Sequence, residues 1–277
     1  LSQGSPRRRP LTPERLDQVD LDTALRLYRE RFADASGFTF FLVGNFTPDS
    51  VREPVLTYLG GLPSRGGKES FRDVGVRPPA GVVKVAVDKG LEPKSQVQIV
   101  FSGPAQFSLD ANHDLQALTA VMRIRLREVL REDLGAIYGV SVGGSVSQRP
   151  WQSYRLAVSF GCAPENVDRL VAAVFAEIAA LREKGVAVSY VQKVQEGERR
   201  QREVDLKSNP FWMTALRTYY VEGLDPREIL RSRERIEQLT PERLAAAARL
   251  YLPADRYVLA VLKPEAAAAA PAKAKSR

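Results

Sequence analysis

Histidine and cysteine are almost missing from this chain, with one of each in 277 residues. Zinc sites take three or four His, Cys or carboxylate ligands at fixed spacing. His113 and Cys162 stand far apart, and neither belongs to a paired-ligand motif. The sequence therefore carries no readable metal centre, and no calcium-loop pattern replaces it. A single cysteine also excludes an intrachain disulfide. Cys162 closes the alternating run Leu156-Ala157-Val158-Ser159-Phe160-Gly161-Cys162, which predicts a buried structural thiol at a strand end, not a nucleophile. His113 lies near a predicted helix start, in Asp110-Ala111-Asn112-His113-Asp114, and is expected to be solvent-facing or cap-related.

Long apolar runs are absent as well. No stretch approaches the roughly 18 consecutive apolar residues of a spanning helix. No signal peptide is visible, and the first residue is Leu1, not Met. The chain thus has the look of a piece whose targeting signal lies elsewhere.

Basic residues are in excess, giving a formal charge of +8, but their placement argues against a nucleic-acid partner. Arg7, Arg8 and Arg9 crowd one end, and Lys273, Lys275 and Arg277 the other. Both ends are rich in Pro, Ser, Ala or Lys, and residues 1–10 and 265–277 are predicted to be solvated tails. Between them Lys and Arg are mixed with Asp and Glu, so the fold itself lacks the basic footprint that phosphate binding needs. No aromatic–basic RNA motif or zinc finger is present.

What the chain does have is apolar periodicity, with 44% hydrophobic residues to fill a core. Leu11-Thr12-Pro13-Glu14 opens a helix with Thr as cap and Pro at the first turn. Leu21 to Ala33 continues with one apolar face, and Phe38 to Gly44 is rich in β-formers and predicts a strand. A helix over Pro48 to Tyr58 follows, despite Pro54 inside it. Residues 62–80 are crowded with Gly, Pro and charge and predict a linker. Beyond it, strands are expected at 82–87, 96–101, 138–147, 154–162 and 257–262. Helices are expected at 109–134, 164–183, 188–204, 210–221 and 241–250. The pattern predicts an α+β fold, an antiparallel sheet with helices packed on one face.

One stretch recurs: Leu11-Thr12-Pro13-Glu14-Arg15-Leu16 returns as Leu239-Thr240-Pro241-Glu242-Arg243-Leu244. Each copy leads through helical sequence with a tyrosine, Tyr28 or Tyr251, into an apolar strand. Such starts are common helix caps. The repeat is nevertheless the favoured reading: residues 11–61 close one repeat, 62–80 link, and 81–264 form a complete second copy.

Two motifs fail on context. Gly139-Val140-Ser141-Val142-Gly143 matches a nucleophile elbow, which needs a sharp strand-to-helix turn, yet Ser141 lies inside an alternating strand. Gly61-Leu62-Pro63-Ser64-Arg65-Gly66-Gly67-Lys68 is one residue out of phosphate-loop register, with Glu69 where Ser or Thr must stand.

The most informative stretch is Arg131-Glu132-x-x-Gly135-x-x-Tyr138, where a predicted helix passes into a strand. A bland account is available: Arg131 complements a helix C-terminus, Gly135 caps it, and Tyr138 is a strand aromatic. The same stretch resembles the Arg–Tyr motif in the non-catalytic half of the pitrilysin/insulinase family, zinc metallopeptidases of the inverted His-x-x-Glu-His type. The likeness extends to Gly44-Asn45-Phe46, Tyr58-Leu59-Gly60-Gly61-Leu62-Pro63, Pro164-Glu165-Asn166-Val167-Asp168 and Asn209-Pro210-Phe211-Trp212. It is similar above all to the C-terminal part of bacterial zinc proteases of that family.

The resemblance implies a clam shell of repeated α+β domains in which one half holds zinc and the other closes over a peptide. It implies that Arg131 binds a peptide carbonyl or carboxylate and that Tyr138 donates to the tetrahedral oxyanion. His-x-x-Glu-His is absent here, so zinc is expected in a catalytic half, either the N-terminal half of the same protein or a partner subunit. That half and a peptide substrate are the expected partners, and a periplasmic or secreted setting fits the bacterial likeness. The other readings are a non-enzymatic scaffold or heterodimer partner with the same fold, and an anion or nucleic-acid binding module.

Overall fold

The computed structural model describes residues 2–67, 70–133 and 137–265, with the backbone alone for 131–133 and 137–138. In chain order its elements are α1 (Pro13–Leu16), α2 (Leu21–Phe32), α3 (Pro48–Tyr58), β1 (Val82–Asp88), β2 (Ser95–Pro104) and α4 (Leu109–Arg127). A π-helical turn, Glu128–Asp133, follows, then β3 (Ile137–Ser147), β4 (Ser153–Cys162), α5 (Val167–Lys184), α6 (Val188–Asp205) and α7 (Asn209–Glu222). The chain closes with α8 (Ser232–Glu237), α9 (Pro241–Tyr251) and β5 (Tyr257–Lys263). Side-chain caps explain several starts. Ser108 accepts from the Ala111 amide at 2.9 Å before α4, and Thr240 accepts from the Arg243 amide at 3.3 Å before α9.

The described chain divides into two compact units. One comprises Arg77–Arg200 and the chain from Arg231; the other comprises Ser2–Val76 and Gln201–Leu230. The boundary at Val76 falls inside the 62–80 stretch. The run 81–264 is interrupted, because residues 201–230 group with 2–76. The tail after Glu265, Gly135, and the Lys68 and Glu69 of the phosphate-loop comparison lie outside the described residues.

In the first unit five strands form one sheet in the order β1-β5-β2-β4-β3. The α+β class is as expected, with one difference. β2, β3, β4 and β5 pair antiparallel, whereas β1 and β5 pair parallel, Val82 opposite Tyr257 through Asp88 opposite Lys263. These are the first and last strands of the unit, so no hairpin constrains their direction, and a long crossover makes a parallel pair possible.

Alternation assigns the sheet faces. Val97, Ile99 and Phe101 of β2 and Tyr154, Leu156, Val158 and Phe160 of β4 are buried under helices. From α4 come Leu115, Leu118 and Met122, from α5 Leu170 and Val174, and from α9 Leu244 and Ala248. Fully burying one such leucine contributes about 1.5–3 kcal/mol. Gly144 lets α4 approach β3, since a Cβ there would lie 2.9 Å from the Arg155 carbonyl oxygen and 3.3 Å from Thr119 Cγ2. Gln96, Gln98, Ser159 and Ser141 point from the opposite face of the sheet.

The second unit is thinly packed. None of α2, α3 or α7 contains a buried residue, and Tyr28 and Phe32 are 60% and 57% exposed. The strand expected at Phe38–Gly44 is not formed; the segment is irregular. Among the described residues no strand lies beside it, and β-formers without a ladder partner do not make a strand. Its aromatics instead join a series of ring contacts: Tyr28–Phe32 at 4.6 Å, Phe32–Phe38 at 5.8 Å and Phe38–Phe40 at 6.3 Å. Tyr220 of α7 meets the same segment, edge-on to Phe41 at 5.5 Å and accepting from Thr39 Oγ1 at 2.8 Å. Residues 2–10, expected to be a disordered leader, carry a 3₁₀ turn at Pro6–Arg8.

Candidate substrate-binding site

Helix α4 and strand β3 meet at the Arg131–Tyr138 motif, and the backbone departs from regular geometry on both sides of it. Regular α-helix ends at Arg127, and the chain widens into the π-helical turn Glu128–Asp133, which contains Arg131. π-Turns are rare, occur mostly as single turns, and are frequent at functional sites. On the strand side, Ile137 pairs with Cys162 and Gly139 with Gly161. Two steps on β3 thus match one on β4, a β-bulge with Tyr138 as the intervening residue. Bulges re-aim a side chain and gather beside active sites. The two residues singled out by sequence are therefore brought to one helix-to-strand connection, each on an irregular piece of backbone.

Packing fixes the approach from the helix side. Leu126 and Leu130 are buried on either side of the start of the π-turn. Glu128, its first residue, accepts a hydrogen bond from the Tyr190 hydroxyl of α6 at 2.6 Å. That bond is the main reason the tyrosine's pKa lies above its ordinary value, with burial adding to it. Arg125 donates from Nε to Glu177 of α5 at 2.7 Å, and its guanidinium lies 5.5 Å from the Tyr190 ring centre. The Lys193 ammonium lies 5.1 Å from the same ring. Tyr190 and Glu128 carry no sequence signal of this role: Tyr190 is one aromatic in an amphipathic helix, and Glu128 one carboxylate among many.

The remaining candidates fall away from this connection. His113 is not solvent-facing: its Nε2 lies 2.9 Å from Glu198 Oε2, and its side chain is 16% exposed between α4 and α6. The adjacent Asp114 pairs with Arg243 of α9 at 2.9 Å. The two pairs moor α4, since half-buried polar groups need partners. Cys162 is wholly buried at the end of β4, and burial, seconded by Glu165, pushes its thiol pKa up, the profile of an inert cysteine. Ser141 stands inside β3, so the elbow geometry is absent. Among the described residues no three His, Cys, Asp or Glu side chains converge in a way that could hold a metal ion.

The family model described as the peptidase M16 inactive domain matches residues 21–198. The chain belongs to this family. The match spans the second unit's early helices, the π-turn, the bulged strand and α5. A zinc protease PQQL-like protein of Arabidopsis thaliana is 25% identical over 93% of this chain and 30% of its own length. The periplasmic protease PqqL of Escherichia coli shares the fold, with a TM-score of 0.77 and 21% identity over 93% of this chain and 28% of that one. A peptidase M16 inactive domain from Pseudomonas fluorescens aligns with a TM-score of 0.62 and 15% identity, over 80% of this chain and 53% of that one. This M16 inactive domain thus spans under a third of the length of the PqqL-like proteins it matches. It is a non-catalytic domain of the zinc-protease family. Among its described residues no helix is long and apolar enough to cross a membrane.

Proposed function

We propose that this M16 inactive domain forms part of the substrate-chamber wall of a zinc metallopeptidase whose metal, water nucleophile and base lie in another half. In this reading Arg131 binds a peptide carbonyl or carboxylate through its guanidinium, and Tyr138 donates to the oxyanion of the tetrahedral intermediate. The observation that carries it is the coincidence of the Arg–Tyr motif with a π-turn and a β-bulge at one helix-to-strand connection. The test is kinetic, in the complete protease. Tyr138→Phe is expected to lower kcat about 100- to 1000-fold, the usual cost of one oxyanion donor. Arg131→Ala is expected to act mainly through KM. Normal cleavage by both variants would refute the assignment.

The exposed apolar residues of the second unit favour the accompanying reading that residues 11–61 close a preceding repeat. Leu25, Tyr28, Phe32, Phe38 and Phe40 all remain at least 38% exposed, more apolar surface than a finished unit presents. The same surface supports a role as scaffold or heterodimer partner. Undiminished catalysis in both variants, together with tight binding of the catalytic half, would favour that role over substrate contact.

A further inference from the structure

The π-turn is a departure from the more stable α-helix, so something must hold it. An α-helical continuation of the same residues would carry Arg131 to another height and another face of the helix. The core side is fixed by Leu126 and Leu130, both buried. Two leucines specify depth but not which helical geometry joins them. The discriminating contact is on the outer side, where Glu128 begins the turn and is gripped from α6 by the Tyr190 hydroxyl at 2.6 Å.

We propose that the Tyr190–Glu128 hydrogen bond sets the π-turn that carries Arg131, making Tyr190 and Glu128 positioning residues for the peptide contact. The proposal rests on the reading of Arg131 given above and adds the contact that holds its backbone turn.

The surroundings support positioning over incidental surface pairing. A short O–H···O⁻ bond is charge-assisted and directional. Tyr190 is itself held: Arg125 covers its ring at 5.5 Å while bonded to Glu177 at 2.7 Å, and Lys193 approaches the ring at 5.1 Å. Arg125 and Glu177 have side chains only 23% and 17% exposed, so the set is drier than an ordinary surface pair. The contacts join α4, α5 and α6 at one point, immediately before the turn. Among the described residues, Tyr190 thus links the Glu128 carboxylate to the cations of Arg125 and Lys193.

The experiment uses the complete protease containing this domain and a quenched fluorescent peptide, with kcat and KM measured separately. Tyr190→Phe keeps the ring and its cations but removes the donor. It is expected to raise KM about tenfold, as the loss of one charge-assisted hydrogen bond would. Glu128→Ala should match it, and Glu128→Gln, which keeps an acceptor oxygen, should recover most of the loss. Combining Tyr190→Phe with Arg131→Ala should cost no more than Arg131→Ala alone, because the two act in series. In the isolated chain, Tyr190→Phe should speed amide exchange of residues 128–133 while leaving the core amides protected. Additive losses, or a wild-type KM in Tyr190→Phe alongside an impaired Arg131→Ala, would overturn the positioning role and leave the Arg131 reading standing. A wild-type Arg131→Ala would instead remove that reading, and this proposal with it.

Discussion

Arg123 Nη2 donates to the carbonyl oxygen of Val142 at 2.7 Å, tying α4 to β3. The two residues flank the motif in sequence, eight before Arg131 and four after Tyr138. The bond therefore joins α4 and β3 on the two sides of the candidate site in sequence. Helix and strand approach closely at Gly144, so α4 and β3 are held by backbone packing as well as by this cation.

Arg123→Ala removes that brace without touching the core. Arg123 is itself exposed, so the loss is modest, about 1 kcal/mol. Urea unfolding should show it as a lower midpoint at unchanged slope. A change in slope would mean that the variant alters the extent of folding rather than one contact.

Asp34 makes a second prediction, in the other unit. Its carboxylate accepts from the amides of Ser36, Arg65 and Gly67 at 3.0, 2.9 and 3.1 Å, and also from the Ser36 hydroxyl. The Arg65 amide leads the causes that hold its pKa well below the usual carboxylate range. A depressed native pKa stabilises fully above the unfolded value of about 3.9, and that stabilisation is lost as pH falls through the native one. The 63–67 turn should thus keep its amide shifts from neutral pH down to about pH 4 and lose them only in stronger acid. Asp34→Asn should weaken the turn at neutral pH. A turn that titrates in wild-type protein near pH 5 would contradict the assignment.

Cys162 should be chemically silent. It is wholly buried and its thiol pKa is raised by burial, so both thiolate formation and access are disfavoured. Alkylation at pH 8 should fail on native protein and go to completion in denaturant. Rapid labelling of the native chain would place the thiol outside the core.

Much of the fold was legible because burial on one face imposes a period. The alternation of Val97, Ile99 and Phe101, and of Leu156, Val158 and Phe160, is the sheet's inner face written directly into the chain. The helix 188–204 was legible for the same reason, to within a residue of α6, where Val191 and Val194 are buried. The helix 210–221 matches α7 as closely without a buried face, marked by Pro210 in its first turn and Gly223 at its end. Phe38–Gly44 misled because composition reports what could join a sheet, whereas a strand needs a neighbour. Pairing partners far apart in sequence, such as β1 with β5, leave no local trace, so the parallel pair was invisible. At the candidate site the Arg131–Tyr138 spacing was readable, but the π-turn and bulge were not, because each depends on contacts from β4 and α6. His113 shows the same limit: its partner Glu198 stands 85 positions away, and nothing near His113 announces it.

We propose that this M16 inactive domain takes part in hydrolysis without performing it. The most direct measurement is hydrolysis of a quenched peptide library by the purified chain, first with added zinc and then with chelator. The account predicts no cleavage in either condition, and turnover only once the zinc-binding half is restored. Chelator-sensitive cleavage by this chain alone, with contaminating proteases excluded, would contradict it.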